Sequence, residues 1–338
     1  MQSIKIYKPF KILILLSLII LIFSYQNHVK ASLNSSDFNQ WLTSFKKTAI
    51  EKGISKKTVD VALQHVKFLE NVIKYDRKQP EFFEDTLTYI SKRATAKRVN
   101  TAKKKLKKNK LLLNEIEDIF NVEKEILLSL WAIETNFGRH VGKMDIISSL
   151  ATLSFDKRRS KFFTHQLLTL LELIDNGTVD LNSLYGSWAG AYGNFQFMPS
   201  TISSYAIDYD KDNKIDLKNS LHDSFASAAN YINKIGWKNS QPCFIQVKLN
   251  KKIKDKYLNK SARNIKNKLR ISVWTKMGIV NLDGSEIKSS YKSALIIPDG
   301  DQQGPAYLVF DNFEKILKWN RSLRFGITVC TLSNKIKA

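Results

Sequence analysis

A carboxylate set into the apolar face of a short helix constrains this chain more than any other single feature. The stretch Leu130, Trp131, Ala132, Ile133, Glu134, Thr135, Asn136, Phe137, Gly138 reads as the last turns of a helix. Residues three and four apart share a face, so Leu127, Leu130 or Trp131, and Glu134 fall together. That face is apolar except at Glu134. A carboxylate so placed must find a partner, take up a proton, or open into a cleft. Gly138, free to adopt positive φ, is expected to stop the helix. Asn121 is expected to cap its start, with Glu123 and Glu125 in the first turn, where the helix dipole favours acids. Two readings follow. Glu134 is either an acid–base group at the floor of a groove or a core glutamate satisfied by an arginine or a backbone group.

The N-terminus narrows the compartment. Lys5, Lys8 and Lys11 precede an apolar run from Ile12 to Phe23, broken by Ser17, and Val29-Lys30-Ala31 offers a small-residue cleavage site. This is the pattern of a secretory signal peptide over residues 1–31, with a run short for a membrane span. The alternative is an uncleaved anchor. No cysteine stands near the cleavage point, so a lipid anchor has no attachment residue. The two cysteines, Cys243 and Cys330, read either as a pair, which an exported protein permits, or as two buried thiols. Neither lies in a C-x-x-C pattern, so zinc or redox chemistry is unsupported. The net charge of +23 favours a polyanion: nucleic acid, an anionic membrane or an acidic wall polymer. Lys103 to Lys110, with six lysines in eight residues, is a solvated helix face or a strip turned toward such a partner. The leader, and the lack of a nucleic-acid-binding motif, set nucleic acid aside.

Residues from Asp37 to Asn114 read as helices joined by short loops. Phe38, Trp41, Leu42 and Phe45 recur at helical spacing, as do Val59, Leu63, Val66 and Leu69; after Pro80 come Phe82, Phe83, Leu87 and Ile90. Phe162 to Ile174 and Asp223 to Ile235 read as further helices, stopped by Asn176-Gly177 and Gly236. The texture changes at Gln241-Pro242. Cys243 to Leu249, Ile271 to Trp274, Ala294 to Ile297 and Ala306 to Phe310 alternate as strands between Gly, Pro and Asp residues. Phe313 to Trp319 turns helical again, and Phe325 to Leu332 is an apolar close.

Two further stretches carry chemistry. From Gly186 to Pro199 small residues alternate with aromatics. Glycines let a ligand approach the backbone, and aromatic faces suit sugar rings or bases. Ser187 and Gln196 supply orienting hydrogen bonds. The alternative is a glycine-bearing packing contact; the G-x-S-x-G spacing of a nucleophile elbow is missing. Asp208, Asp210 and Asp212, with Ile215 at the eighth position, match the opening of an EF-hand calcium loop. Asn213 stands where glycine makes the sharp turn, and Asn219 where a bidentate glutamate closes the site. Asp223, slightly further on, is the acid available to close it. The alternative is a solvated acidic turn, although carboxylates this close repel unless a cation holds them.

In order and spacing, the Trp131 to Gly138 stretch, the Gly186 to Pro199 segment and the Asp208 loop resemble the lytic murein transglycosylase B family. The tail agrees in Tyr307 to Phe313 and in Lys318-Trp319-Asn320-Arg321-Ser322. The resemblance covers roughly Phe38 to Leu332. It implies a mainly α (α+β) fold, with a lysozyme-like helical core, an added N-terminal helical domain and a small β-rich subdomain. On this reading residues 1–31 are the leader, 32–110 the N-terminal helical domain and 111–238 the catalytic core with its EF-hand-like loop. Residues 239–310 form the β-rich subdomain, and 311–338 return to the core.

The leader makes a periplasmic or otherwise exported protein the expectation, with a monomer expected; the resemblance implies that it cleaves the MurNAc–GlcNAc bond of peptidoglycan strands without water and needs no organic cofactor. Glu134 matches the catalytic glutamate. It protonates the leaving oxygen, then as carboxylate takes the proton from the muramic C6 hydroxyl, which closes a 1,6-anhydro ring. The nucleophile belongs to the substrate, so its effective concentration is already high. Apolar surroundings favour the protonated acid that the first step needs. By the same resemblance Ser187 orients Glu134, while Gln196, Tyr231 and Asn320 meet the glycan. Asp208, Asp210, Asp212, the Lys214 carbonyl and Asp223 hold a structural Ca2+. Two alternatives remain open: a lysozyme-type hydrolase, which needs a second carboxylate such as Asp145 or Asp156 about 5–9.5 Å away, and a non-catalytic wall-binding protein.

Overall fold

The computed structural model describes residues 35–78 and 84–338; the expected leader, Pro80, Phe82 and Phe83 lie outside the described residues. Among those described, seven helices lead up to and include the one that carries Glu134: α1 Ser35–Glu51, α2 Lys56–Ala62, α3 Glu70–Arg77, α4 Thr86–Arg93, α5 Ala96–Lys108, α6 Lys110–Phe120 and α7 Lys124–Thr135. The expected amphipathic stripe understates α7. Ile126 through Ala132 and Thr135 are all buried, as befits a helix that is apolar nearly all round. It is wedged against α5 and α6 and, from the far end of the chain, α14 (Leu323–Lys337).

Both ends of α7 differ from expectation. Asn121 does not begin it but ends α6, in the left-handed conformation at φ 53°. Glu123 takes the N-cap position, and its carboxylate accepts from Trp237 Nε1 at 2.6 Å and Ser240 N at 2.8 Å. At the other end the helix stops at Thr135 rather than running on to Gly138, because Asn136 already turns left-handed at φ 50°. Asparagine tolerates that region better than other side chains.

Two long helices follow, α8 (Ile146–Phe155) and α9 (Ser160–Asp175), packed on each other. The residues of α8 up to Ser154 are all buried, serines and threonine included. The polar ones have backbone to serve: Ser148 Oγ accepts from Lys67 N and Thr152 Oγ1 from Leu69 N, each at 3.0 Å. Buried hydroxyls thereby satisfy the chain entering α3. Strands β1 (Met144–Asp145) and β2 (Tyr185–Gly186) form a two-residue antiparallel pair that brings the Gly186 segment beside α8. Helices α10 (Pro199–Tyr205) and α11 (Leu221–Lys234) complete the central bundle.

The β-rich unit comprises β3 (Phe244–Leu249), β4 (Leu258–Asn259), β5 (Leu269–Arg270), helix α12 (Ile271–Lys276), β6 (Ile279–Asn281), β7 (Lys292–Ile296) and β8 (Ala306–Val309). Its strand order is β4-β7-β8-β3-β6, with β5 paired to β7. The period of two sorts the sheet's faces. Ala294, Ile296, Tyr307 and Val309 face the helical core. Leu295, Leu308, Val247 and Phe310 face a second, smaller core around Trp274. Ile271 to Trp274, expected as a strand, is the helix α12. Its two buried residues, Ile271 and Trp274, are three apart and share a helical face. Trp274 Nε1 then donates to Ser293 O at 2.9 Å.

Helix α13 (Asp311–Trp319) and α14 close the chain over α7. Cys243 and Cys330 form a disulfide across 87 residues, tying the entry to β3 onto α14. One apolar core runs from Phe38 to Ile336, so the N-terminal helices and the last helix bury their faces on the same centre. No described helix is long and apolar enough to cross a membrane.

Candidate active site

The chain leaves α7 through three consecutive left-handed residues, Asn136 at φ 50°, Phe137 at φ 62° and Gly138 at φ 79°. For a bulky residue such as Phe137 this is a strained conformation, at a cost of about 1–3 kcal/mol. Its surroundings hold it there. Phe137 is buried and meets Trp131 edge-on at 5.5 Å, and its N–H donates to Trp131 O. Gly138 N donates to Thr135 Oγ1 at 3.0 Å. A Cβ on Gly138 would lie 2.7 Å from Asn194 Oδ1, so glycine is required there, three residues after the helix has ended.

Asn194 is the buried hub that sequence reasoning passed over. Its Oδ1 accepts from Trp131 Nε1 at 2.9 Å, its backbone carbonyl from Thr135 Oγ1 at 2.8 Å, and its Nδ2 donates to Lys218 O at 2.8 Å and Ser224 Oγ at 3.2 Å. One side chain thus fastens α7 to the Gly186 segment and to α11. The only signal was a lone amide among aromatics in Tyr192-Gly193-Asn194-Phe195.

Glu134 is half-buried, and its Oε1 accepts from Trp319 Nε1 at 2.9 Å. Trp319, the last residue of α13, stacks on Tyr231 with centroids 5.1 Å apart and meets Phe197 edge-on at 5.4 Å. Trp319, Phe197, Tyr231, Gln196 and Asn320 all line one cleft of about 850 Å³. Glu134 is not itself in that lining and reaches it through Trp319. Trp319 had stood in the sequence beside Asn320 without a role.

The other expected residues fall as follows. Tyr231 stacks between Trp319 and Tyr205 and donates from its hydroxyl to Lys318 O at 3.1 Å; burial pushes its phenol up to about 12. Gln196, at φ 52°, donates from Nε2 to Gly193 O at 2.9 Å and Val141 O at 3.2 Å, which uses both of its amide donors on the chain itself. Asn320 is the C-cap of α13. Ser187 Oγ accepts from Ala189 N and Ala191 N, so it shapes its own turn and keeps one proton to donate. The glycines near it serve the fold. A Cβ on Gly186 would sit 2.1 Å from Ala191 O, so the close approach expected of a ligand is made by the chain itself.

The two acids considered as a second carboxylate have structural duties. Asp156 is buried and paired with Arg77 at 3.0 Å. Asp145 caps α8 through Ser148 N. Of the six lysines from Lys103 to Lys110, five are exposed, while Lys105 turns in over the Trp131 ring at 5.3 Å.

The acidic loop lies just beyond α10. Oxygens of Asp208, Asp210 and Asp212 lie within 4.8 Å of one another. Asn213, at φ 69°, makes the sharp turn and donates its N–H to Asp208 Oδ2 at 2.9 Å. Asp208 Oδ1 is buried with no hydrogen-bond partner, an orphan that a hard cation would relieve. Asp223 is not one of this cluster. Buried in the first turn of α11, it accepts from Tyr209 N at 2.8 Å and Asp216 N at 2.9 Å, bracing the loop's two arms. Burial pushes its carboxyl above the ordinary value, against the pull of those donors. The three clustered carboxylates and the turn fit an oxygen-liganded cation.

A family model for the transglycosylase SLT domain matches residues 37–334. Over 126 residues the chain is 40% identical to the membrane-bound lytic murein transglycosylase B of Escherichia coli K12, a stretch covering 37% of this chain and 35% of that protein. The match therefore spans about a third of that relative's length. The structure of SltB3 from Pseudomonas aeruginosa in complex with NAG-anhNAM-pentapeptide superposes with a TM-score of 0.81 at 33% identity, covering 89% of this chain and 80% of that one. The Escherichia coli lytic transglycosylase Slt35 in complex with calcium superposes with a TM-score of 0.74 at 27% identity, covering 88% of this chain and 92% of that one.

Proposed function

The chain belongs to the transglycosylase SLT domain family, and on that premise we propose that it is an exported lytic transglycosylase that cleaves peptidoglycan strands between MurNAc and GlcNAc and leaves 1,6-anhydro ends. The observation that carries this reading is the junction of Glu134 with Trp319 at the edge of an aromatic cleft. Glu134 gives its proton to the departing glycosidic oxygen. The muramic C6 hydroxyl then attacks C1 and passes its proton to the Glu134 carboxylate, which restores the acid. Trp319 Nε1 holds one oxygen in place and stabilises the carboxylate between the two transfers. Trp319, backed by the stacked Tyr231, offers an aromatic surface for a sugar ring, and Gln196 Oε1 and Asn320 offer polar contacts. Ser187 has a proton to give toward Glu134.

A water-using hydrolase would need a second carboxylate across the bond; the structural duties of Asp145 and Asp156 count against it. Calcium, which the Slt35 complex contains, would here be held by Asp208, Asp210, Asp212 and the Lys214 carbonyl. It would supply charge neutralisation that stiffens the loop between α10 and α11, with Asp223 as the brace. The expected leader supports a periplasmic location.

The test is digestion of purified peptidoglycan followed by mass spectrometry of the products. Anhydro-muramyl ends support the reading, and free reducing ends favour the hydrolase. No release of glycan, with binding intact, favours a non-catalytic wall protein.

A further inference from the structure

The cleft has a charge pattern that the bond-breaking step does not use. Arg159, Lys260, Arg263, Lys318, Arg321 and Arg324 line it, and no acidic side chain does; Arg324 is half-buried and paired with Asp299 at 2.8 Å, which leaves five. These cations arrive from separate parts of the fold. Arg159 precedes α9, Lys260 and Arg263 follow β4, Lys318 is in the last turn of α13, and Arg321 links α13 to α14. All five are exposed. Arg159 is partly answered by Asp76 at 3.3 Å. The other four meet no carboxylate among the described residues. Some cations elsewhere are paired: Lys238 and Lys268 share Asp311, and Arg77 holds Asp156. Unpaired like charges around one opening repel each other and focus a positive field into it. Such an arrangement suits an anionic ligand drawn in by charge.

We propose that this rim selects substrate by charge: it receives the free carboxylates of the peptide stems while the sugars lie along the aromatic cleft at Trp319, so strands whose stem carboxylates are free are preferred over strands whose stems are amidated. The proposal rests on the transglycosylase reading for its substrate. The sugar rings are uncharged and suit the aromatic floor. The stems project from the muramyl residues and end in carboxylates, and the rim shares its cleft with that floor. The preference falls with salt, because exposed charges are screened.

The probes are soluble peptidoglycan strands in native form and with their carboxylates converted to methylamides, with amine-acetylated strands as the control for chemical handling. At low salt kcat/KM on native strands is expected to exceed that on methylamidated strands about tenfold, and the ratio to shrink in 0.5 M salt. In the triple variant Lys260→Gln, Arg263→Gln, Arg321→Gln the ratio falls toward one. In Lys260→Arg, Arg263→Lys, Arg321→Lys it is retained. Melting temperatures check that both variants fold. Equal rates of wild-type protein on both substrates overturn the proposal, as does a glutamine variant that keeps the ratio. Co-sedimentation with the two wall preparations separates the two readings. Charge-dependent binding that the triple variant loses, without cleavage of either wall, overturns the transglycosylase reading and upholds the rim. Equal cleavage of both upholds the activity and overturns the rim. Neither cleavage nor charge-dependent binding overturns both.

Discussion

The end of α7 and the Asp208 loop place acidic side chains by opposite means. Around Glu134 the position is set by packing. Trp131, Phe137, Phe195 and Phe225 meet edge-on at 5.2–5.5 Å, and the polar atoms among them converge on Asn194. Around Asp208 the position is set by hydrogen bonds from backbone N–H groups to carboxylates, in a stretch where Asp210, Lys211, Asp212, Asn213 and Lys214 are all exposed. The first arrangement is complete without a ligand. The second leaves Asp208 Oδ1 unanswered. A packed site tolerates loss of its functional acid, whereas a charge-built loop depends on what neutralises it.

The largest effect should therefore come from a change that leaves stability alone. Glu134→Gln keeps the shape and the acceptor for Trp319 Nε1 but removes the proton that the reaction needs. Turnover of purified wall should fall by about 10³-fold or more, with the melting temperature unchanged. Residual activity within tenfold of wild type would mean that the acid lies elsewhere.

Asn194→Ala should do the reverse at the level of folding. It strands the buried Trp131 Nε1 and the half-buried carbonyl of Lys218, and should cost about 3 kcal/mol of unfolding free energy. Denaturant melts measure it. A cost below about 1 kcal/mol would show that water replaces the amide, and that the floor is less tightly built than its contacts indicate.

For the loop, excess calcium should raise the unfolding free energy by about 2–3 kcal/mol over a chelator control, the amount expected at a hundredfold excess over Kd. Asp210→Asn with Asp212→Asn should abolish the response while changing the calcium-free protein little. Calorimetry with calcium alone supplies the second readout. No heat and no thermal shift would reduce the cluster to a solvated acidic turn.

The same contrast explains what could be read from the sequence. The helices α9 and α11 and the strands β3, β7 and β8 follow from apolar periodicity, which local burial enforces. Glu134 stood out because a charge on an apolar face is rare. Ile271 to Trp274 misled because β-branched residues in alternation look like a strand; only the partner across the fold, Ser293 O for Trp274 Nε1, settles it as a helix. The stop of α7 was placed at Gly138, because glycine is the usual left-handed residue, but Asn136 and Phe137 take that conformation first under tertiary contacts that no local pattern reveals. The Trp319–Glu134 bond joins residues 185 apart in sequence, and Asn194 serves elements on both sides of it in the chain. Such long-range polar hubs leave only the weak signal of one amide among aromatics.

The smallest effect sharpens the comparison at the far end of α13, where charge and packing meet on one helix. Asp311, its first residue, accepts from Lys268 Nζ at 2.8 Å and Lys238 Nζ at 2.9 Å. These hydrogen bonds, Lys268 first, hold its carboxyl down at about 2. The folded value lies below the unfolded one of about 3.9. The stabilisation is therefore fully present above about pH 4 and is lost as pH falls through about 2. The pair is about one-third exposed, so solvent screening leaves about 1 kcal/mol. Asp311→Asn should lower the unfolding free energy by that amount at pH 6, and the difference should shrink by pH 3 and in high salt. Turnover at neutral pH should hardly change, because Trp319 at the other end of the helix is kept by Phe197 and Tyr231 rather than by the ion pair. If Asp311→Asn depresses turnover as strongly as it depresses stability, the aromatic packing does not fix Trp319 over Glu134, and the distinction between the packed floor and the charge-built periphery fails at this helix.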